Sequence, residues 1–293
     1  MHPIATLLIL LWIACNPAGE QPAPLPPSAE FGNGLQLAVL EQEELSEISG
    51  MVHSSLYPGK FWIHNDSGDD PLLYLLDESG TIIRRFYLKG TAHLDWEDIA
   101  IAPAVTGKAG TLYIGDIGDN LAVRNYISIY KLIEPGPESP DTLTNITEFR
   151  FVYPDGARDA ETLLCDPQTG LLYLLSKREA RNRLYQIPLD SEDPGSVKSL
   201  IFLRELPVTI STAGDISPDG TEILIRNYFR AYYWYRPPAT DFIRAFLSNP
   251  RLLNIQPEPQ GEAIGWKYDQ TGFYTLSERP GENPVILYFY PRK

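Results

Sequence analysis

An acidic residue followed by a short run of apolar or small residues recurs five times along these 293 residues. The copies are Glu47-Ile48-Ser49, Asp98-Ile99-Ala100, Glu161-Thr162-Leu163, Asp215-Ile216-Ser217 and Glu262-Ala263-Ile264. After each comes a β-rich run: Phe61 to His64, Leu112 to Gly115, Leu172 to Leu175, Ile223 to Arg226 and Phe273 to Leu276. A third run repeats with a central aromatic in every unit, at Tyr74, Tyr130, Tyr185, Trp234 and Tyr288. A fourth follows in most units, as in Ile82 to Leu88, Thr147 to Tyr153 and Ser199 to Leu206. A chain repeating every ~50 residues in this way must stack like units and bury their faces against one another.

Four short strands per unit, joined by Gly, Pro or Asp turns, are the signature of β-propeller blades. The sequence therefore predicts an all-β fold, a β-propeller of five four-stranded blades. Six blades stays open, because the segment 241–249, read as a short helix, has room for a degenerate insertion. The last unit ends at Lys293 after its third strand, and Leu35 to Leu40 supplies the missing fourth. The ring is then closed by an N-terminal strand completing the last blade, with no open sheet edge. Abundant Pro (26) and Gly (22) agree with many tight turns. The repeated Tyr and Trp are expected to pack blade against blade, and Ser217-Pro218-Asp219-Gly220 to form a hairpin turn.

The first residues read differently. Ile4 to Ala14 form an apolar run of the length of a signal-peptide core, too short to span a bilayer. The segment Trp12-Ile13-Ala14-Cys15 resembles a bacterial lipobox, in which the cysteine is lipidated. The expected organisation is a signal peptide over 1–14, a lipid-anchor Cys15 with a Pro-rich tether over 15–30, and a propeller domain over 31–293. Such a protein is exported to the bacterial cell envelope and touches the membrane only through its lipid. A plain secretory signal, giving a soluble secreted or periplasmic protein, is the alternative. Cys165 lies in an apolar strand pattern and reads as a buried small hydrophobe. A net charge of −14 argues against nucleic acid or an anionic membrane as partner and suits cations, or ligands that arrive with one.

Strand direction sorts the polar residues. The first strand of a blade is innermost and the second runs antiparallel to it, so the start of one and the end of the other share a channel mouth. Glu47, Asp98, Glu161, Asp215 and Glu262 open the first strands, and Asp66, Asp116, Lys177, Arg226 and Glu278 end the second. Crowded carboxylates raise one another's pKa unless a cation, Lys or Arg partners, or backbone N–H groups compensate. Oxygen-only donors suit Ca²⁺, or Mg²⁺, and no His-x-x-x-His or Cys-x-x-Cys pair suggests a transition metal. The five first-strand acids are thus the candidate metal ligands. Asp66 or Asp116 is the candidate general base, and Lys177 and Arg226 the groups that would orient an anionic substrate. An equally available use of the same acids is to bond the next blade's backbone and set register. His53 and His93 have no assigned role.

The segments Asp95-Trp96-Glu97-Asp98-Ile99-Ala100, Gly115-Asp116-Ile117-Gly118-Asp119-Asn120 and Asp155-Gly156-Ala157-Arg158-Asp159-Ala160-Glu161 resemble signature segments of a group of uncharacterised bacterial β-propeller lipoproteins. His64-Asn65-Asp66-Ser67-Gly68 and Gly261-Glu262-Ala263-Ile264 match the same group, so the resemblance spans all five units. More distantly, the chain is similar to phytase-like, SdiA-regulated and gluconolactonase-type propellers. That resemblance implies carboxylate-held Ca²⁺ beside Lys and Arg at the channel mouth. Two functions remain in play: a metal-dependent hydrolase of a phosphoester, lactone or glycoside, and a non-catalytic propeller that binds a small anionic or carbohydrate ligand, or a partner.

Overall fold

A computed structural model describes residues 29–104, 108–189, 193–279, 281 and 284–293. The expected signal peptide and Cys15 lie outside the described residues. The first sheet joins β2 (Ile48–His53), β3 (Lys60–Asn65), β4 (Leu72–Asp77) and β5 (Ile82–Leu88), with the short β9 (Thr142–Leu143) at its edge. The second joins β6 (Trp96–Ala102), β7 (Thr111–Asp116), β8 (Ile127–Ile133) and β10 (Thr147–Val152), with β14 (Val197–Ser199) outermost. The third holds β11 (Ala160–Cys165), β12 (Leu172–Ser176), β13 (Arg183–Ile187) and β15 (Ile201–Glu205). The fourth holds β16 (Ser211–Ile216), β17 (Glu222–Asn227), β18 (Ala231–Tyr235) and β19 (Arg251–Leu253), with α1 (Phe242–Ala245) between the last two. The fifth runs β20 (Gly261–Trp266), β21 (Gly272–Ser277), β22 (Val285–Pro291) and finally β1 (Leu35–Leu40), the N-terminal strand.

This is a five-bladed β-propeller closed as expected, with β1 antiparallel to β22 and Val39 opposite Ile286. The count of five is settled by the cores. Five apolar clusters exist among the described residues, one at each blade–blade junction. At the closing junction Leu40, Tyr274 and Leu276 of blade five pack on Met51, Phe61 and Tyr74 of blade one. The segment considered for a sixth blade is the one-turn α1, capped by Asp241, whose side chain accepts from the Ile243 N–H at 2.9 Å. It lays Phe242 against Tyr173 of blade three, ring centroids 4.2 Å apart.

The innermost strands β2, β6, β11, β16 and β20 are adjacent in that order around the channel. Nearly every residue in them is buried, since both faces are covered by neighbouring blades. Each also carries a β-bulge where two residues face one on the second strand. The bulged residues are Gly50, Glu97, Glu161, Thr212 and Glu262. A bulge re-aims the extra side chain out of the ladder. In blade one that residue must be glycine. Its φ is +79°, and a Cβ there would press on the backbone of Asp98 and Ile99.

Candidate metal centre at the channel mouth

The bulges set the register of the site. Glu97, Glu161 and Glu262 occupy equivalent positions on blades two, three and five, all 3–5% exposed. Two residues earlier, Asp95 and Asp159 lie above Glu97 and Glu161. On the far side of the ladder, Asp66 follows β3, and its N–H donates to the Glu47 carbonyl at 2.7 Å. Two carboxylate triads result, each with one oxygen per residue within 4.8 Å of the others: Asp66, Asp95 and Glu97, then Glu97, Asp159 and Glu161. Glu97 belongs to both and is the centre of the cluster.

Positive charge at the mouth is scarcer than negative. Lys177, just after β12, pairs with Glu161 and donates to the Tyr228 hydroxyl at 3.0 Å, which in turn donates to Glu262 at 2.8 Å. Arg178 pairs with Asp159 at 2.5 Å, and Arg124 with Asp116 at 2.6 Å. Glu278 stands beside Glu262 and accepts from the Gln260 amide. No described donor reaches the Glu97 carboxylate, although the side chain is 3% exposed. Its neighbours are acids, and burial followed by the charges of Glu161, Asp66 and Asp95 lifts its pKa well above the ordinary 4.5. Asp66 is pushed to about 8 by burial and by Asp95, and Glu278 to about 10 by burial and Glu262. Glu161 is also raised by burial, an effect that the Lys177 charge opposes. Such a cluster cannot be fully ionised unless a cation joins it.

The structure separates the nine candidate residues. Glu161, Glu262, Asp66 and Lys177 are brought together at the mouth, and Glu47 stands at its rim, coupled electrostatically to Asp66. Asp98 and Asp215 are elsewhere. The Asp98 carboxylate lies deeper in the channel, where it accepts from Ile99 at 2.9 Å, Leu163 at 2.8 Å and Gly214 at 3.2 Å, tying blade two to blades three and four. Asp215 accepts from Ile216 and from Trp266 of blade five, both at 2.8 Å. Backbone amides already occupy these two acids, so of the five first-strand acids two are bulge glutamates, Glu161 and Glu262, two are register pins, and Glu47 stays at the rim; the third bulge glutamate is Glu97.

Arg226 does not face the opening either. It is fully buried between blades four and five, paired with Glu258 at 2.8 Å and donating to the Ala263 carbonyl at 3.1 Å. Its guanidinium fills the space that a Cβ at Gly261 would need. Tyr228, two residues on, takes the place expected for it. Asp116 is likewise fully buried against Arg124, and its carboxyl is raised by burial. Asp95, Glu97 and Asp159 belong to this opening by sequence order, in the segments that enter first strands, though they are not among the nine; nothing in the sequence singles out Tyr228. The signal for the three acids was present: Asp-x-Glu occurs where both first strands enter, as Asp95-Trp96-Glu97 and Asp159-Ala160-Glu161. Gly118 completes the cradle, because a Cβ there would collide with the Asp95 and Glu97 carboxylates.

No family model matches the sequence, and no curated protein matches it. Among solved structures it is similar to the PQQ-bound form of an aldose sugar dehydrogenase from Streptomyces coelicolor. That match has 10% identity and a TM-score of 0.48, covering 91% of this chain and 100% of the other. The sheets and the mouth define the class on their own: a five-bladed β-propeller with a buried acidic cluster capable of holding a metal ion.

Proposed function

We propose that the mouth is a divalent-cation site, for Ca²⁺ or Mg²⁺, held by Asp66, Asp95, Glu97, Asp159 and Glu161. Glu97 carries the reading. A buried carboxylate with no donor among the described residues, ringed by other carboxylates, has the surroundings of a hard-cation ligand. The donor set is all oxygen, and neither triad includes a histidine or cysteine. A bound cation would supply Lewis acidity and a water of lowered pKa. Around it, Asp66, whose Oδ1 has no hydrogen-bond partner among the described residues, is the carboxylate that would take a proton from that water. The Lys177–Tyr228–Glu262 chain fixes the opposite wall and can hand a proton to a leaving oxygen. Hydrolysis of a phosphoester, lactone or glycoside is the reaction class that this layout suits.

One observation favours binding without turnover. Lys177, Arg124 and Arg178 are each paired with a carboxylate. An anionic ligand would therefore be held through the cation more than by protein charge. Calorimetry with Ca²⁺ and Mg²⁺, followed by a panel of phosphoesters, lactones and aryl glycosides, separates the two. Turnover that requires the cation and disappears in Asp66→Asn and Glu97→Gln selects the hydrolase. Binding with no turnover selects the carrier, and no cation uptake removes both.

For location, the reading is a cell-envelope lipoprotein anchored through Cys15 after removal of residues 1–14. The apolar run and the lipobox-like Trp12-Ile13-Ala14-Cys15 support it. Incorporation of labelled fatty acid that is lost in Cys15→Ser is the expected result, and labelling that persists would refute it.

A further inference from the structure

On blade four neither the bulged residue, Thr212, nor the one two positions before it is an acid. At the position where blades two and three place Asp95 and Asp159, blade four places Ile210, whose N–H donates to the Lys177 carbonyl at 3.1 Å. Its φ is +54°, a conformation that β-branched residues rarely adopt. The loop after β17 is tied to the same segment, since the Asn227 side-chain amide donates to the Thr209 carbonyl at 3.1 Å, and in that loop Phe229 is 71% exposed. Packing does not hold this ring in place. Its loop is braced instead by Asn227, whose side-chain oxygen accepts from the Phe229 and Arg230 N–H groups at 3.0 and 3.1 Å. Tyr228 and Phe229 line a cavity of about 450 Å³ together with Ile255, Pro257, Glu258 and Pro259.

The one charged group of that lining is already engaged, since Glu258 is bound by Arg226 at 2.8 Å and by the Thr275 hydroxyl at 3.1 Å. What the cavity offers a ligand is therefore apolar and aromatic surface. Tyr228 borders both sites: it lines the cavity, and its hydroxyl joins Lys177, the partner of Glu161, to Glu262.

We propose that this cavity is a subsite for an alkyl or aryl group, and that the ligand of the mouth is a small amphiphilic anion. Its charged end sits at the cation and its apolar end against Phe229 and the two prolines. The lining is mostly apolar, which favours an alkyl or aryl group over a sugar. The inference rests on the cation reading above and adds the chemistry of the ligand's other end.

The test is calorimetric binding of monoalkyl phosphates, from ethyl to octyl, to the whole protein in Ca²⁺, with Ca²⁺ alone measured separately. Each added methylene should tighten binding about three- to fourfold until the cavity is full. Phe229→Ser, at an exposed position, should flatten that series and leave Ca²⁺ affinity unchanged. If Ca²⁺ binds but affinity is flat in chain length, or equally steep in the variant, the subsite is refuted and the cation reading stands. If Ca²⁺ does not bind, the cation reading falls. The subsite is then decided by uncharged n-alkanols, supported by a Phe229-dependent gradient and overturned by its absence.

Discussion

Replacing Glu97 by glutamine separates a cation site from a merely crowded channel. The triad oxygens lie within 4.8 Å of one another, and two unit charges at that limit repel by about 3.5 kcal/mol at an effective dielectric of about 20. Two ionised neighbours would thus cost Glu97 about 7 kcal/mol. Holding a proton on a carboxyl with an ordinary value of 4.5 costs about 5 kcal/mol at pH 8. Without a cation, protonation is the cheaper state. The folded pKa lies above the unfolded one, so stability is full below pH ~4.5 and falls as pH rises toward the folded value, by about 1.4 kcal/mol per unit. Glutamine carries no such cost. In a chelator, Glu97→Gln should therefore be more stable than wild type by up to about 5 kcal/mol at pH 8, and by only about 1.4 kcal/mol at pH 5.5. Added Ca²⁺ should reverse the order, because it stabilises the wild type and has lost its central ligand in the variant. Urea denaturation at the two pH values, with and without Ca²⁺, reads all four numbers. A variant less stable than wild type in chelator at pH 8, or an equal Ca²⁺ response in both proteins, would refute the reasoning.

Asp98→Ala should behave in the opposite way. It strips the acceptor from the Leu163 and Gly214 amides, so a loss of about 3–5 kcal/mol is expected in urea melts, with the Ca²⁺ response retained. Lys177→Met leaves buried Glu161 without its cation and should cost about 3–5 kcal/mol in chelator, much of it recovered on adding Ca²⁺. Gly118→Ala drives a methyl group into the Asp95 and Glu97 carboxylates, and calorimetry should show Ca²⁺ affinity reduced tenfold or more.

The contrast between Glu97 and Asp98 shows why the site was harder to read than the blades. Adjacent residues of one strand, both acidic and both buried, face different partners because the bulge falls on Glu97 and not on Asp98. A bulge has no fixed sequence signature. Aligning the repeats on their acids therefore placed Asp98 one residue beyond the bulge and Asp215 three residues beyond the bulged Thr212. The same slip set Arg226 in the mouth, whereas Tyr228 is the side chain that arrives there.

The sequence by itself determined the blades. Three or four apolar runs in each repeat call for stacked blades that bury both faces, the blade number being settled by the packed cores, and the unpaired run Leu35 to Leu40 had one edge to close. Alternation of side chains along a strand is local, so it survives in the sequence. Which acids meet is not local. Glu97, Glu161 and Asp66 are joined only when three blades are set around a channel and each first strand is kinked by its bulge. Only the tertiary structure decided that, because the repeated Asp-x-Glu marks where two strands enter the mouth, but no spacing in the chain says which oxygens from separate blades will meet.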